Sequence, residues 1–418
     1  MTEKLLQYIW QFQYFNKQEL FTTEGDFVNI IKQGQLNSNQ RPDFINAVIK
    51  INNLTLAGNI EMHLVSSDWY QHQHQIDKNY SNVILHVVWL YDKPVKNIHA
   101  QNIPTIVLSG RVPKVLLNKY EQLLHAPNVI ACNKYLPAIS ALSWMAWKER
   151  LVIERLEMKS AKVLLLLKEN NNHWEEVFWQ MLAYNFGIIN NAYLFQEVAK
   201  SIPISILAKH KNQIHQLEAM LMGQANLLEY GFQEDYPLML QKEYLFLAKK
   251  YQFKKITVQP HFLRMRPANF PTIRLAQLAM LIQQSSHLFS FIKEVKEVNE
   301  LRKFFDLTCN DYWHYHYVFD EIKTYAPKKT GHQMIDNIII NPIVPVLFSY
   351  GLFRKEECYK EKAIQFLMAT CSEKNTIIQT WKRYQVSSSN AMESQALLHL
   401  QKQYCQTKKC LQCAIGNK

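Results

Sequence analysis

Apolar residues fall at every second position from Ile45 to Ile51 (Ile45, Ala47, Ile49, Ile51) and again at Ile60, Met62 and Leu64. A period of two predicts strands with one buried face. Asn52-Asn53 between the runs predicts a hairpin turn, since asparagine tolerates positive φ. Val83 to Leu90 is an apolar run of the kind that forms a central strand covered on both faces. Phe27 to Ile31 reads as an earlier strand, and Thr105 to Leu108 as a short later one. Ser66 and Ser67 predict the cap of a helix reaching about Tyr80, with Trp69, Ile76 and Tyr80 on its inner stripe. The expected order is helix, strand, strand, strand, helix, strand.

Prolines at 94, 104 and 113 mark the end of this region, and from about Ala138 the period turns helical. Trp147, Leu151, Met158 and the run Ala161 to Lys168 predict one long helix. Glu175 to Tyr184, Ala192 to Lys200, Ile204 to Leu228 and Pro237 to Tyr251 continue the series, and Pro271 suits the first turn of a helix to about Gln284. Ile338 to Phe348, with two prolines, reads as an extended or capped segment. The fold class expected is α+β. An α/β domain should cover 1–117, a helical domain 118–351, and a C-terminal helical segment with a cysteine cap 352–418.

Polar groups crowd the stretch from Arg41 to Tyr91, between segments that otherwise read as buried. A strand that points a carboxylate or imidazole inward must give it a partner, because an unpaired buried charge is costly. Folding about Asn52-Asn53 brings Asp43 to within a residue or so of Glu61, and Glu61 and His63 share a strand face. His72 lies beside the Trp69–Ile76 stripe and could face the sheet, where it would support the ligands or contact a nucleic-acid substrate. His74 should point away, toward Tyr70 and Asp77, and His86 reads as a core histidine bonded to backbone.

An acid opening the second strand, Pro42-Asp43, and Glu61-Met62-His63 on the third resemble the motif of the PD-(D/E)xK nucleases, with histidine in place of lysine. The resemblance implies a mixed sheet with flanking helices. It further implies Asp43 and Glu61 as ligands of Mg²⁺ or Mn²⁺, and a metal-bound water attacking a phosphodiester. His63 would then activate that water, join the ligands, or signal that cutting has been lost. The whole chain also resembles a bacterial family whose members share a domain of unknown function. The resemblance rests on Pro42 to Val88 (PDF…GNIEMH…SSDW…HQH…NVILHVV), Arg264 to Ala279 (RMRPANFPTIRLAQLA), Asn341 to Gly351 and Tyr404 to Gly416.

A formal net charge of +12 favours a polyanionic partner, though the excess is spread along the chain. Arg264, Arg266 and Arg274 gather at a predicted helix start, where they would clamp phosphate or pair with neighbouring acids. His314 and His316, within Tyr312 to Tyr317, would share a face only on a strand, and packing is the commoner role for such histidines. Cys405, Cys410 and Cys413 have C-x4-C-x2-C spacing, which suits zinc or an iron–sulfur cluster; Cys371, Cys358, Cys309, Cys132 or His399 would supply a fourth ligand. Three reduced thiols packed at a helix end is the alternative.

No apolar run approaches the about 18 residues of a membrane span. The amphipathic start (Leu5, Ile9, Phe12) lacks the basic opening of a signal peptide, so a cytoplasmic protein without a membrane partner is expected. The leading expectation is a metal-dependent nuclease-like protein that acts on or binds nucleic acid. A non-catalytic nucleic-acid-binding or scaffolding protein of the same fold is the alternative.

Overall fold

A computed structural model describes residues 1–37, 42–124, 129–229 and 231–416; Arg41, at the head of the polar stretch, lies outside them. The chain is mixed α/β, a curled six-stranded sheet with helices followed by a mostly helical region. It divides into two units, Met1–Tyr135 with Tyr404–Lys418, and Leu136–Gln403. The first unit thus runs past the expected boundary at 117 and takes back the end of the chain, while 136–403 forms one unit rather than parts of two.

In the first unit, helix α1 (Glu3–Gln11) begins at Thr2, whose side chain accepts from the Leu5 N–H. Leu5, Leu6, Ile9 and Trp10 pack into a core with Phe44, Ile60, Met62, Leu85 and Val87. Each such fully buried side chain contributes about 1.5–3 kcal/mol. The strands are β1 (Val28–Lys32), β2 (Gln35–Leu36), β3 (Phe44–Ile51), β4 (Leu54–Val65), β5 (Val83–Leu90) and β6 (Thr105–Val107). Their order is β1-β3-β4-β5-β6, with β2 also on β3. β1, β3 and β4 are antiparallel, whereas β5 and β6 run parallel to β4.

The β3–β4 turn is Asn52-Asn53, closed by the pair Ile51 and Leu54, with Asn52 at φ +50°. Asn46, at φ +57°, lies where the β3–β4 register slips by one between Phe44 and Ala47. Beyond the slip Phe44 faces Ile60, which sets Asp43 beside Glu61.

The helix expected from Ser67 to Tyr80 is only a four-residue turn, α2 (Asp68–Gln71). Gln73 adopts φ +60°, which breaks the helix, and a short 3-10 turn follows at Lys78–Tyr80. Trp69 is buried as expected, with its Nε1 donating to the Lys96 carbonyl, but Ile76 is 65% exposed.

Gly58 on β4 sits where β5 comes closest. A Cβ there would lie 2.5 Å from Ile84 Cγ2 and 2.7 Å from the Asn82 carbonyl oxygen, and the backbone atom cannot yield. Gly58→Ala is therefore expected to cost about 1–3 kcal/mol in denaturant titration. An unchanged midpoint would mean that this strand pair is looser than the structure has it.

Helix α3 (Lys114–Leu124) follows in the first unit, and the second unit is helical. Ser140 caps α4 (Ala141–Glu169), the long helix expected; α5 (Trp174–Phe186) and α6 (Ile188–Ser201) follow. The helix expected over Ile204 to Leu228 is two, Ile204–Lys209 and Ile214–Gln224. Ile338 to Phe348 is not extended. It lies in a helical run from His332 to Arg354 that passes through a π turn at Ile339–Ile343, where the wider spacing accommodates Pro342. That run is long and apolar enough to cross a membrane, but most of it is buried inside the fold.

The aromatic patch around Tyr312 is structural. Glu218, fully buried, accepts from Tyr236 Oη, Asn310 Nδ2 and Trp313 Nε1. His316 stacks on Tyr312 and bonds Glu234, and its neighbour His314 sits on a short helix, Asp311–Tyr315, so the two do not form a ligand pair.

Candidate metal centre

Asp43 and Glu61 meet because the register slip at Asn46 moves Asp43 one residue along β4. The Asp43 N–H donates to Glu61 Oε2 at 3.0 Å, so the two carboxylates share one corner of the sheet. Gln7 of α1 donates to Asp43 Oδ1 at 2.8 Å, and the Met62 N–H also supports this carboxylate. Burial pushes the Glu61 carboxyl up to about 9, with further push from Asp43; burial also raises Asp43 to about 6, against the pull of its two donors. Two buried acids that resist ionising together are what a bound cation would relieve.

His63 fills the position of the motif lysine and is buried. Its Nε2 lies 3.1 Å from His72 Nδ1 and 3.8 Å from Glu61 Oε1, while its Nδ1 lies 2.9 Å from His86 Nε2. His74 Nε2 lies 3.5 Å from the same Glu61 oxygen. The ligand atoms of His63, His72 and His74 all fall within 4.8 Å of one another. Desolvation and the neighbouring rings lower His63 to about 2, His86 to about 3 and His74 to about 4, so these imidazoles are neutral and able to coordinate. Trp69 and Tyr80 form the wall, with Tyr80 stacked on His74 at 3.8 Å.

His72 thus lies beside His63 and His74. His74 and His86 do not behave as expected: both join the site. The helix ends at Gln71 and the chain turns back at Gln73, so His74 points in rather than out. His86 bonds His63 rather than backbone. The signal that would have found them is the density of histidine in one short stretch, which a helical projection disperses.

The three arginines do not act together. Arg264 and Arg266 are exposed, whereas Arg274 is buried and donates to Asn269 Oδ1 and Gln277 Oε1. Arg274 is therefore withdrawn as a phosphate contact, because a guanidinium inside the fold cannot reach a polyanion.

Cys405, Cys410 and Cys413 return to the first unit, where Cys132 joins them. None of the four is in a disulfide, and burial plus mutual proximity raises Cys132 to about 12 and pushes Cys405 and Cys410 up as well. Cys410 and Cys413 share a tight turn, the Cys413 N–H donating to the Cys410 carbonyl at 3.3 Å. A Cβ on Gly416 would lie 2.7 Å from that same carbonyl, so only glycine lets the chain pass there. Of the five residues weighed as a fourth ligand, Cys132 is the one in this unit.

No curated protein and no solved structure matches the chain. Residues 3–376 match the family described as Protein of unknown function (DUF2851). That match spans most of the 418 residues, and the chain belongs to this family.

Proposed function

We propose that this protein is a metal-dependent phosphodiesterase acting on nucleic acid, with its metal held by Glu61, His63, His72 and His74 beside Asp43. The observation that carries the reading is the convergence of the His63, His72 and His74 imidazoles with a Glu61 oxygen, where His74 Nε2 is a buried nitrogen with no hydrogen-bond partner. Such an atom fits a ligand role, since a buried polar group otherwise finds a partner. The donor set is richer in nitrogen than Mg²⁺ prefers, so of the two ions expected from sequence Mn²⁺ suits it better.

A divalent ion held there would supply an activated water and neutralise charge on a phosphoryl oxygen. The protein does the rest. His86 fixes the ring of His63, and Gln7 orients Asp43. Trp69 and Tyr80 exclude water on one side, and exposed His72 marks the side open to substrate. The strand order supports the nuclease-like reading: an antiparallel trio with an acid at the head of β3, Glu-x-His on β4, and β5 parallel to β4. The basic balance of the chain favours nucleic acid over neutral phosphodiesters. The four cysteines are read as a second, structural metal centre that ties the end of the chain to the first unit.

Metal-stripped protein should cut single- or double-stranded DNA or RNA when Mn²⁺ is restored, and less well with Mg²⁺, as followed on labelled oligonucleotides. Binding that weakens with salt, without any cutting across the panel, would replace catalysis with the binding role.

A further inference from the structure

The second unit contains a cavity of about 650 Å³ that the metal centre does not involve. Its walls are mainly apolar, with Val163, Leu166, Met181, Ile188 and Pro342 among them. Two further lining residues, Leu165 and Ile189, are 61% and 91% exposed, so the cavity opens to solvent through an apolar rim. The volume is that of a typical small-molecule site.

One part of the wall is polar. Lys159 of α4 donates from Nζ to Asn341 Oδ1 at 3.1 Å and lies 3.4 Å from Gln395 Oε1. Asn341 sits on the π turn at Ile339–Ile343, a helix irregularity that often marks functional positions. Its Nδ2 donates to Asn337 Oδ1, which also receives Asn185 Nδ2 at 3.0 Å. An ammonium only donates, so it sets the direction of every amide in this chain. Asn185, the last member, lines the cavity, and its Oδ1 is buried and without a partner. Behind Lys159 stand Arg155 and Lys402 as repelling charges and Glu373 as an opposing one, and Lys162 and Glu169 also line the cavity, so cations outnumber carboxylates at this end.

We propose that this cavity binds an apolar carboxylic acid bearing a hydroxyl along its chain. The carboxylate pairs with Lys159, the hydroxyl donates to Asn185 Oδ1, and the hydrocarbon lies along Val163, Leu166 and Met181. The anion balances the excess positive charge around Arg155 and Lys159. The hydroxyl satisfies the one amide oxygen that the lysine-directed chain leaves over. The site stands apart from the phosphodiesterase reading and does not depend on it. Desolvation and the two cationic neighbours lower Lys159 to about 7, and a bound carboxylate would favour its charged form.

The test uses the full chain and calorimetric titration with decanoate, a series of hydroxydecanoates, decanol and decylamine. The acids are expected to bind and decylamine to fail. The best hydroxydecanoate should bind roughly fivefold tighter than decanoate, and Asn185→Leu should remove that preference. Lys159→Gln keeps a donor for Asn341 but removes the charge, and should weaken the acids by about tenfold or more. Leu165→Glu alters an exposed rim residue, so folding is spared while the acids are repelled. Equal binding of decanoate and decylamine would overturn the proposal. So would unchanged affinity in a folded Lys159→Gln protein, or no binding by any acid in the series.

Discussion

Glu61→Gln is expected to abolish Mn²⁺-dependent cleavage, by ~10²-fold or more, and with it the stabilisation that Mn²⁺ gives the folded protein. Glu61 Oε1 faces both His63 and His74, so the amide would present either a weaker acceptor or an N–H to the same point. Metal that binds only the folded state stabilises it by mass action, ~2.7 kcal/mol at a hundred times its Kd. The melting temperature of metal-stripped protein should therefore rise with Mn²⁺ in wild type and stay flat in Glu61→Gln and His74→Ala. Asp43→Asn should reduce the shift less, because Asp43 is already engaged by Gln7 and Met62.

His63→Lys gives the sharpest contrast. The motif alone suggests that lysine restores a nuclease, but His63 is enclosed by His72, His74 and His86. An ammonium there would repel a cation, so loss of both activity and metal shift is expected. Retained activity in His63→Lys, or an undiminished Mn²⁺ shift in both Glu61→Gln and His74→Ala, would sink the histidine-centred site.

Cys132→Ser is expected to cost the protein its second metal and much of the stability of the first unit. Cys132 stands near Cys405, Cys410 and Cys413 despite its distance along the chain, so a shared ion would cross-link two remote segments. Metal bound only in the folded state contributes directly to folding free energy. Four thiolate donors suit either zinc or an iron–sulfur cluster. Protein purified without oxygen should hold zinc, or iron with sulfide, and Cys132→Ser should lose that metal and melt at a lower temperature. Wild-type protein free of iron and zinc, with a melting temperature matching Cys132→Ser, would leave four packed thiols.

The sequence by itself brought Asp43 to within a residue or so of Glu61, and the one-residue slip at Asn46 then set the two side by side. A two-residue turn at Asn52-Asn53 sets the pairing of its strands, and strand alternation then decides which residues share a face. The long α4 and the Pro271 helix were equally legible, because period and capping are local properties. The rest of the site was not. Asp68 to His74 reads as a helix, but Trp69 is pinned by the Lys96 carbonyl and Gln73 turns left-handed, and this alone brings His74 inward. Arg274 is buried with its two terminal nitrogens on Asn269 and Gln277, partners that a charge count cannot distinguish from phosphate. Cys132 carries no local mark at all; only the folding of the chain end back onto the first unit sets it beside Cys405, Cys410 and Cys413. Register and helical period follow from neighbouring residues, whereas the convergence of distant side chains depends on how the elements pack, and no local pattern encodes that.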